Sequence, residues 1–226
     1  MTFNTSRRSF LRGVGGVAML GAAGCSTWCR RSGKIRLAAV GIMGKGFTDW
    51  LPMVKSGMAE IVAFCDADAN QRKKVLTDKR ITELTLVDTL AKVPFYTDYR
   101  RMFDDQHKLG IEAMTVSTPD HMHAAIAIRA MKMGIHCYVQ KPLVRTLWEA
   151  KYFGDTAKEY GVVTQMGNQG SAMAGLRRCV EVLRTGVLGD VTEVHVWTNR
   201  PVWPQGLEAA KLVSGAADKV PAGFDW

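Results

Sequence analysis

The chain predicts an α/β protein with a doubly wound parallel sheet, and three observations carry that expectation. Apolar runs of strand length recur, each leading through a turn into a stretch with helical spacing. The first run, Ile35 to Val40, enters a turn with glycines at 41, 44 and 46, and a helix pattern follows from about Phe47 to Gly57. The second run, Ile61 to Cys65, ends in Asp66, twenty residues after Gly46.

Strand, glycine turn and helix in that order aim backbone N–H groups and a positive helix end at a pyrophosphate. A carboxylate at the tip of the next strand can accept hydrogen bonds from both ribose hydroxyls of an adenosine. The expectation is therefore a Rossmann-type domain holding NAD. NADP fits less well, because Asp66 would repel a 2′-phosphate, although Arg72, Lys73 and Lys74 soften that preference. In the register of G-x-G-x-x-G, Gly41 and Gly46 fill the first and third places. Met43 stands where the second glycine would let the backbone approach the phosphates, and Gly44 is its candidate substitute. The plain alternative is an ordinary tight βα turn.

The 226 residues carry a net charge of +9, and Arg7, Arg8, Arg12, Arg30, Arg31 and Lys34 supply six of those charges. No Asp or Glu precedes residue 49. The excess thus belongs to a leader and not to a folded face, which argues against nucleic-acid binding. Residues 6 to 12 read Ser-Arg-Arg-Ser-Phe-Leu-Arg and resemble a twin-arginine export signal. The glycine-rich stretch Val14 to Gly24 is too short and weakly apolar for a comfortable membrane span. It ends at Cys25 after small residues, like a lipoprotein processing site, but with alanine where leucine is usual. Residues 1–33 are assigned to signal and linker. The expected partners are the export machinery and a small-molecule substrate, with membrane contact only through the signal or a lipid on Cys25. Localisation is then the periplasm or cell envelope. The five cysteines form no metal-ligand or disulfide framework, and Cys65 and Cys137 fall in expected buried strands.

A polar helix is expected from Asp68 to about Lys79, followed by residues 81–93, ambiguous between short helix and loop. Phe95-Tyr96 reads as a short strand, and Asp98 to Gln106 as an amphipathic helix with Tyr99, Met102 and Phe103 inward. The strand Ile111 to Ser117 leads into Thr118-Pro119-Asp120-His121-Met122-His123 and an alanine-rich helix ending at Gly134. In an open parallel sheet such a turn lies where ligands bind. Thr118 can donate to a phosphate or ribose, Pro119 offers a wall beside a ring, and His123 is a candidate lining residue or a plain helix-start histidine. His-x-His without a further ligand is thin evidence for a metal, and none is expected. Strand Ile135 to Val139 then delivers Gln140-Lys141-Pro142 to the same edge. The residue before proline is pushed out of helical geometry, so Lys141 is held in a restricted backbone. It is a candidate proton donor or acceptor, set against a surface lysine in a turn.

The glycine-rich turn, Cys-Asp-Ala-Asp at 65–68, Thr-Pro-Asp-His-Met-His and Gln-Lys-Pro, in this order, resemble the Gfo/Idh/MocA oxidoreductase family (glucose–fructose oxidoreductase, inositol dehydrogenase and relatives). The match covers about Ile35 to Val196. The resemblance implies that Lys141 contacts the substrate hydroxyl being oxidised. It also implies that Thr118, Pro119 and His123 line the cofactor crevice, with Gln140 and Pro142 beside it. The family's motif is usually Glu-Lys-Pro, often with the Lys-Pro bond cis, so Gln140 departs from it and removes a carboxylate beside the lysine.

A helix from Thr146 to Tyr160, a strand from Val162 to Met166 and the turn Gly167-Asn168-Gln169-Gly170 come next. Asn168 and Gln169 are candidates for sugar or ribose hydroxyls, although the same tetrapeptide is good turn chemistry. After a helix from Leu176 to Thr185, Val191 to Trp197 alternates as a strand, which the family places at the start of a second, α+β domain. Residues 34–188 are thus the nucleotide-binding domain and 189–226 the beginning of a truncated substrate domain. Trp197 and Trp203 suit stacking on a sugar face, or packing of a loop onto a core. The function expected is NAD-dependent hydride transfer to or from a sugar or polyol carbon, the cofactor being tightly held, in a homo-oligomer when full length. The alternatives are an NAD-dependent glycoside hydrolase of the same fold and a non-catalytic NAD-binding fragment.

Overall fold

The computed structural model describes residues 33–197 and 222–223. Six strands form one all-parallel sheet in the order β3-β2-β1-β4-β5-β6. They are β1 (Ile35–Val40), β2 (Ala59–Cys65), β3 (Phe95–Tyr96), β4 (Ala113–Val116), β5 (His136–Gln140) and β6 (Thr164–Gly167). Chain order reverses between β1 and β4, so a crevice opens at their carboxyl ends, the place where doubly wound sheets bind ligands.

The strands are apolar on both faces because helices cover both. Leu37 and Ala39 of β1 join one cluster, with Phe47, Trp50 and Leu51 of α1 (Lys45–Lys55), Val75 of α2 (Asn70–Thr77), Ile81 of α3 (Lys79–Glu83) and Leu90 of α4 (Val87–Ala91). Ala38 and Val40 point the other way, to Met102 and Phe103 of α5 (Tyr99–Asp104) and Ile126, Ala127 and Met131 of α7 (Asp120–Lys132). Between those two helices, α6 (Gln106–Leu109) ends at Gly110, in left-handed geometry. Phe153 of α8 (Leu147–Glu159) completes that side. The period-2 alternation of β1 therefore splits the core into two layers.

The ambiguous stretch 81–93 resolves into parts of two short helices, each anchored by one buried residue, Ile81 or Leu90. α8 starts with a capping box: Thr146 Oγ1 accepts from the Glu149 N–H at 3.1 Å, and Glu149 Oε2 accepts from the Thr146 N–H at 3.0 Å. Beyond β6 come α9 (Gln169–Ala172) and the expected helix, α10 (Ala174–Arg184). The expected strand Val191 to Trp197 is a correction: that stretch has no strand pairing and is exposed throughout. Period-2 alternation suits a strand but does not make one, and among the described residues no neighbouring strand offers it a ladder. The leader with Cys25, the loop with Trp203 and the last three residues lie outside the described residues. No helix among the described residues is long and apolar enough to cross a membrane.

Candidate functional site

The carboxyl end of β1 is drawn tight against its neighbours. The Gly41 N–H donates to Cys65 O at 2.9 Å and the Ser117 N–H donates to Val40 O at 2.8 Å. Gly41 has φ +75°, and a Cβ there would lie 2.6 Å from Ser117 O. At Gly46 a Cβ would sit 1.7 Å from Gly41 O. These two glycines let the turn fold back on itself and let α1 start against β4. Gly44 caps α1 with φ 59°, and its missing side chain leaves open space. Met43 packs partly against the apolar cluster under α1, so the backbone at 43–44 still borders the crevice. Trp50, fully buried and edge-on to Phe47 and Phe64, donates through Nε1 to Ile42 O at 3.0 Å and fixes the turn from below.

Asp66 reaches back to the same turn. Its Oδ2 accepts from the Ile42 N–H at 3.0 Å and its Oδ1 from the Asp68 N–H at 3.1 Å. Burial pushes its carboxyl above the usual carboxylate range; the two N–H groups pull the other way, Asp68's charge adds to the rise and Lys74 opposes it. A cavity of about 1030 Å³ opens here. Its lining includes Gly41, Met43, Gly44, Asp66, Thr118 and Pro119, drawn from three separate turns. It also takes in Lys74 of α2, one of the basic residues weighed against Asp66, together with Gln71 and with Asp98 to Arg101 around the start of α5, which the motif reading missed. Their signal was weak, since charges at helix starts read as solvated.

Lys141 and Pro142 are exposed and outside the cavity's lining. The Lys141-Pro142 bond is cis, the form that the family resemblance implies is common at this motif. His123 is 1% exposed and is a strut: Nδ1 lies 2.7 Å from Pro142 O and Nε2 2.8 Å from Thr118 O. It ties the turn after β4 to the turn after β5 from inside, where the sequence suggested a crevice-lining role. Gln140 is also turned inward, 4% exposed, with Nε2 donating to Asp49 Oδ2 at 2.9 Å. Its amide fills the space that a side chain at Gly167 would need. Lys141 itself is exposed, and its N–H lies 3.3 Å from Gln140 Oε1.

Asp49, outside the cavity lining, is a further residue that the motif reading overlooked. Its side chain is 2% exposed, paired with Lys45, and it accepts from Ser117 Oγ at 2.9 Å as well as from Gln140. The available signal was its phase: it lies one residue before buried Trp50, on the apolar side of α1. Asn168, Gln169 and Trp197 are exposed and outside the cavity lining, and Trp203 lies beyond the described residues. Cys65 borders the cavity, but burial pushes its thiol up to about 12, with Asp66 and Asp98 adding to the effect. No group of three or more His, Cys, Asp or Glu among the described residues is placed to hold a metal ion.

The residues fit a dinucleotide. Positive-φ glycines and the start of α1 border the cavity, and Asp66 stands at its β2 side. Thr118 Oγ1 is buried beside it with no partner in the protein, a polar atom awaiting one.

Comparison with known proteins agrees. The family model described as the oxidoreductase family with an NAD-binding Rossmann fold matches residues 35–168. Glycosyl hydrolase family 109 protein 2 of Akkermansia muciniphila is 28% identical over 169 residues, 71% of this chain and 33% of that protein. Levoglucosan dehydrogenase of Pseudarthrobacter phenanthrenivorans is 27% identical over 125 residues, 53% of this chain and 31% of the other. The chain thus spans about a third of the length of these curated relatives. The crystal structure of myo-inositol 2-dehydrogenase from Lactobacillus plantarum superimposes with a TM-score of 0.58 at 22% identity, covering 70% of this chain and 43% of that one. With the family model spanning more than half of its residues, and the glycine turn, Asp66 and the Lys-Pro turn at one sheet edge, the chain belongs to the Gfo/Idh/MocA oxidoreductase family and carries its NAD-binding Rossmann fold.

Proposed function

We propose that the protein is the nucleotide-binding part of an NAD-dependent oxidoreductase that acts on a sugar or polyol. The observation that carries this reading is the crevice at the β1/β4 reversal, with Asp66 on one side and the Lys141-Pro142 turn stapled through His123 to Thr118 on the other. When bound, the nicotinamide supplies hydride acceptance and donation. The chain's own residues do the rest. The N–H groups around Gly44 and the start of α1 hold the phosphates, and Asp66 accepts from the adenosine ribose hydroxyls. Its negative charge favours NAD over a 2′-phosphorylated form. Lys141, exposed at the end of β5, moves the proton of the substrate hydroxyl as hydride leaves its carbon.

A second reading has support of its own: one relative is named a glycosyl hydrolase. Oxidation, elimination and re-reduction on one retained cofactor would cleave a glycoside without net redox change. Such a cycle also suits a protein exported folded by a twin-arginine route with its cofactor already loaded. We assign the leader to that route and Cys25 as the candidate lipid site, and a homo-oligomer to the longer protein.

The test is a nicotinamide absorbance assay with a panel of sugars, polyols and glycosides, on wild type and Lys141→Met. The expected result is loss of turnover by about a thousandfold in the variant, with NADH affinity held within about threefold. Turnover unchanged in Lys141→Met would remove the lysine from the chemistry.

A further inference from the structure

We propose that Asp49 is a positioning residue for Lys141, replacing from helix α1 the carboxylate that the Gln-Lys-Pro turn lacks. The proposal rests on the oxidoreductase reading above. The resemblance gives Glu-Lys-Pro as the usual motif, and Gln140 removes that acid. Yet an acid is present: Asp49, 91 residues earlier, lies 2.9 Å from Gln140 Nε2 with its side chain 2% exposed. The pair is still one carboxylate and one partner, with the charge on the helix and not on the strand.

This exchange fixes more than a contact. A carboxylate only accepts, so it dictates that the NH2 end of the Gln140 amide faces it. The Oε1 end is then left to accept from the Lys141 N–H at 3.3 Å, at the start of the cis Lys-Pro turn. The same Asp49 oxygen accepts from Ser117 Oγ at 2.9 Å, and Ser117 borders the nucleotide cavity. One buried carboxylate therefore orients both the lysine turn and the crevice floor. Lys45, also on α1, pairs with it from the solvent side. The facing charged or titratable group on β5 is Tyr138, whose phenol is pushed up by burial and then by the charge of Asp49.

The test is a charge exchange in the full chain: Asp49→Asn, Gln140→Glu and the double variant. Two readouts are taken, NADH affinity across pH relative to wild type, and hydrogen exchange at the Lys141 backbone N–H. Gln140→Glu alone sets two carboxylates against each other. It is expected to lose about tenfold in NADH affinity near pH 8, to recover toward wild type near about pH 5 as the pair shares a proton, and to exchange the Lys141 N–H about tenfold faster at the higher pH. Asp49→Asn keeps an acceptor oxygen and is expected to lose about threefold. The double variant restores one acid and one amide and is expected to return both readouts to within about threefold of wild type, with a flat pH ratio. A double variant no better than Gln140→Glu would overturn the proposal. So would lowered thermal stability in Gln140→Glu with Lys141 exchange unchanged. If wild type binds no NADH, the oxidoreductase reading fails instead, and the exchange data alone decide the role of Asp49.

Discussion

At Asp66 two demands meet on one carboxylate. It must hold the glycine turn through the Ile42 N–H and also be free to accept from a ribose, in surroundings that disfavour its charge. Because burial raises its folded pKa, the stability it contributes to the unliganded protein is full below its ordinary value of 3.8 and is lost as pH rises through the raised value. Nucleotide affinity runs the opposite way, since ribose hydroxyls donate to the ionised form. Titration calorimetry should therefore show NAD affinity falling as pH drops through that raised value. Asp66→Asn should cost about tenfold at neutral pH and flatten the profile. An unchanged profile would remove Asp66 from the ribose. The glycines divide in the same residue-level way. Gly46→Ala forces a Cβ onto Gly41 O and is expected to abolish nucleotide binding or folding, whereas the Cβ of Gly44→Ala enters only the open space assigned to the phosphates, so it is expected to keep the fold at a backbone strain of about 1–3 kcal/mol while weakening NADH binding. Thermal melts and NADH titration of the two variants check this contrast.

At the scale of elements, the strands were legible because buried parallel strands are continuous apolar runs, and β1, β2, β4 and β5 each read that way. Residues 81–93 were not legible, since α3 and α4 are short and polar and depend on Ile81 and Leu90 finding the core. Val191 to Trp197 misled for the converse reason: its pattern was right, but strands need neighbours. The site was half legible. Glycine turns and strand-end carboxylates are local features, whereas the burial of His123, Gln140 and Asp49 arises from contacts 19 to 91 residues apart. The β5–β6 edge carries a pH dependence of its own. His136 Nδ1 accepts from the Val163 N–H at 2.9 Å, and burial lowers its pKa below the ordinary 6.5, with Glu112 opposing. A depressed base contributes stability present above about 6.5 and lost as pH falls through its folded value. Protection of the Cys137 N–H, which donates to Val163 O, against hydrogen exchange should fall below that pH more than protection in β1. An equal loss of protection in both strands would show that His136 is not responsible.

Across the whole molecule, three turns at one sheet edge are bound to each other from beneath: Asp49 joins the glycine helix to β4 and β5, and His123 joins β4 to the Lys-Pro turn. That bracing makes a rigid nucleotide crevice at the reversal of strand order, and an oxidoreductase carrying a nicotinamide cofactor is the reading it supports. The measurement that bears on this most directly is made on the protein purified with residues 1–33 retained. The bound small molecules are released by denaturation, identified by mass spectrometry and counted against protein. Stoichiometric NAD is the expected result. NADP in its place would contradict the role given to Asp66, and no nucleotide, with none taken up on addition, would contradict the dinucleotide site itself.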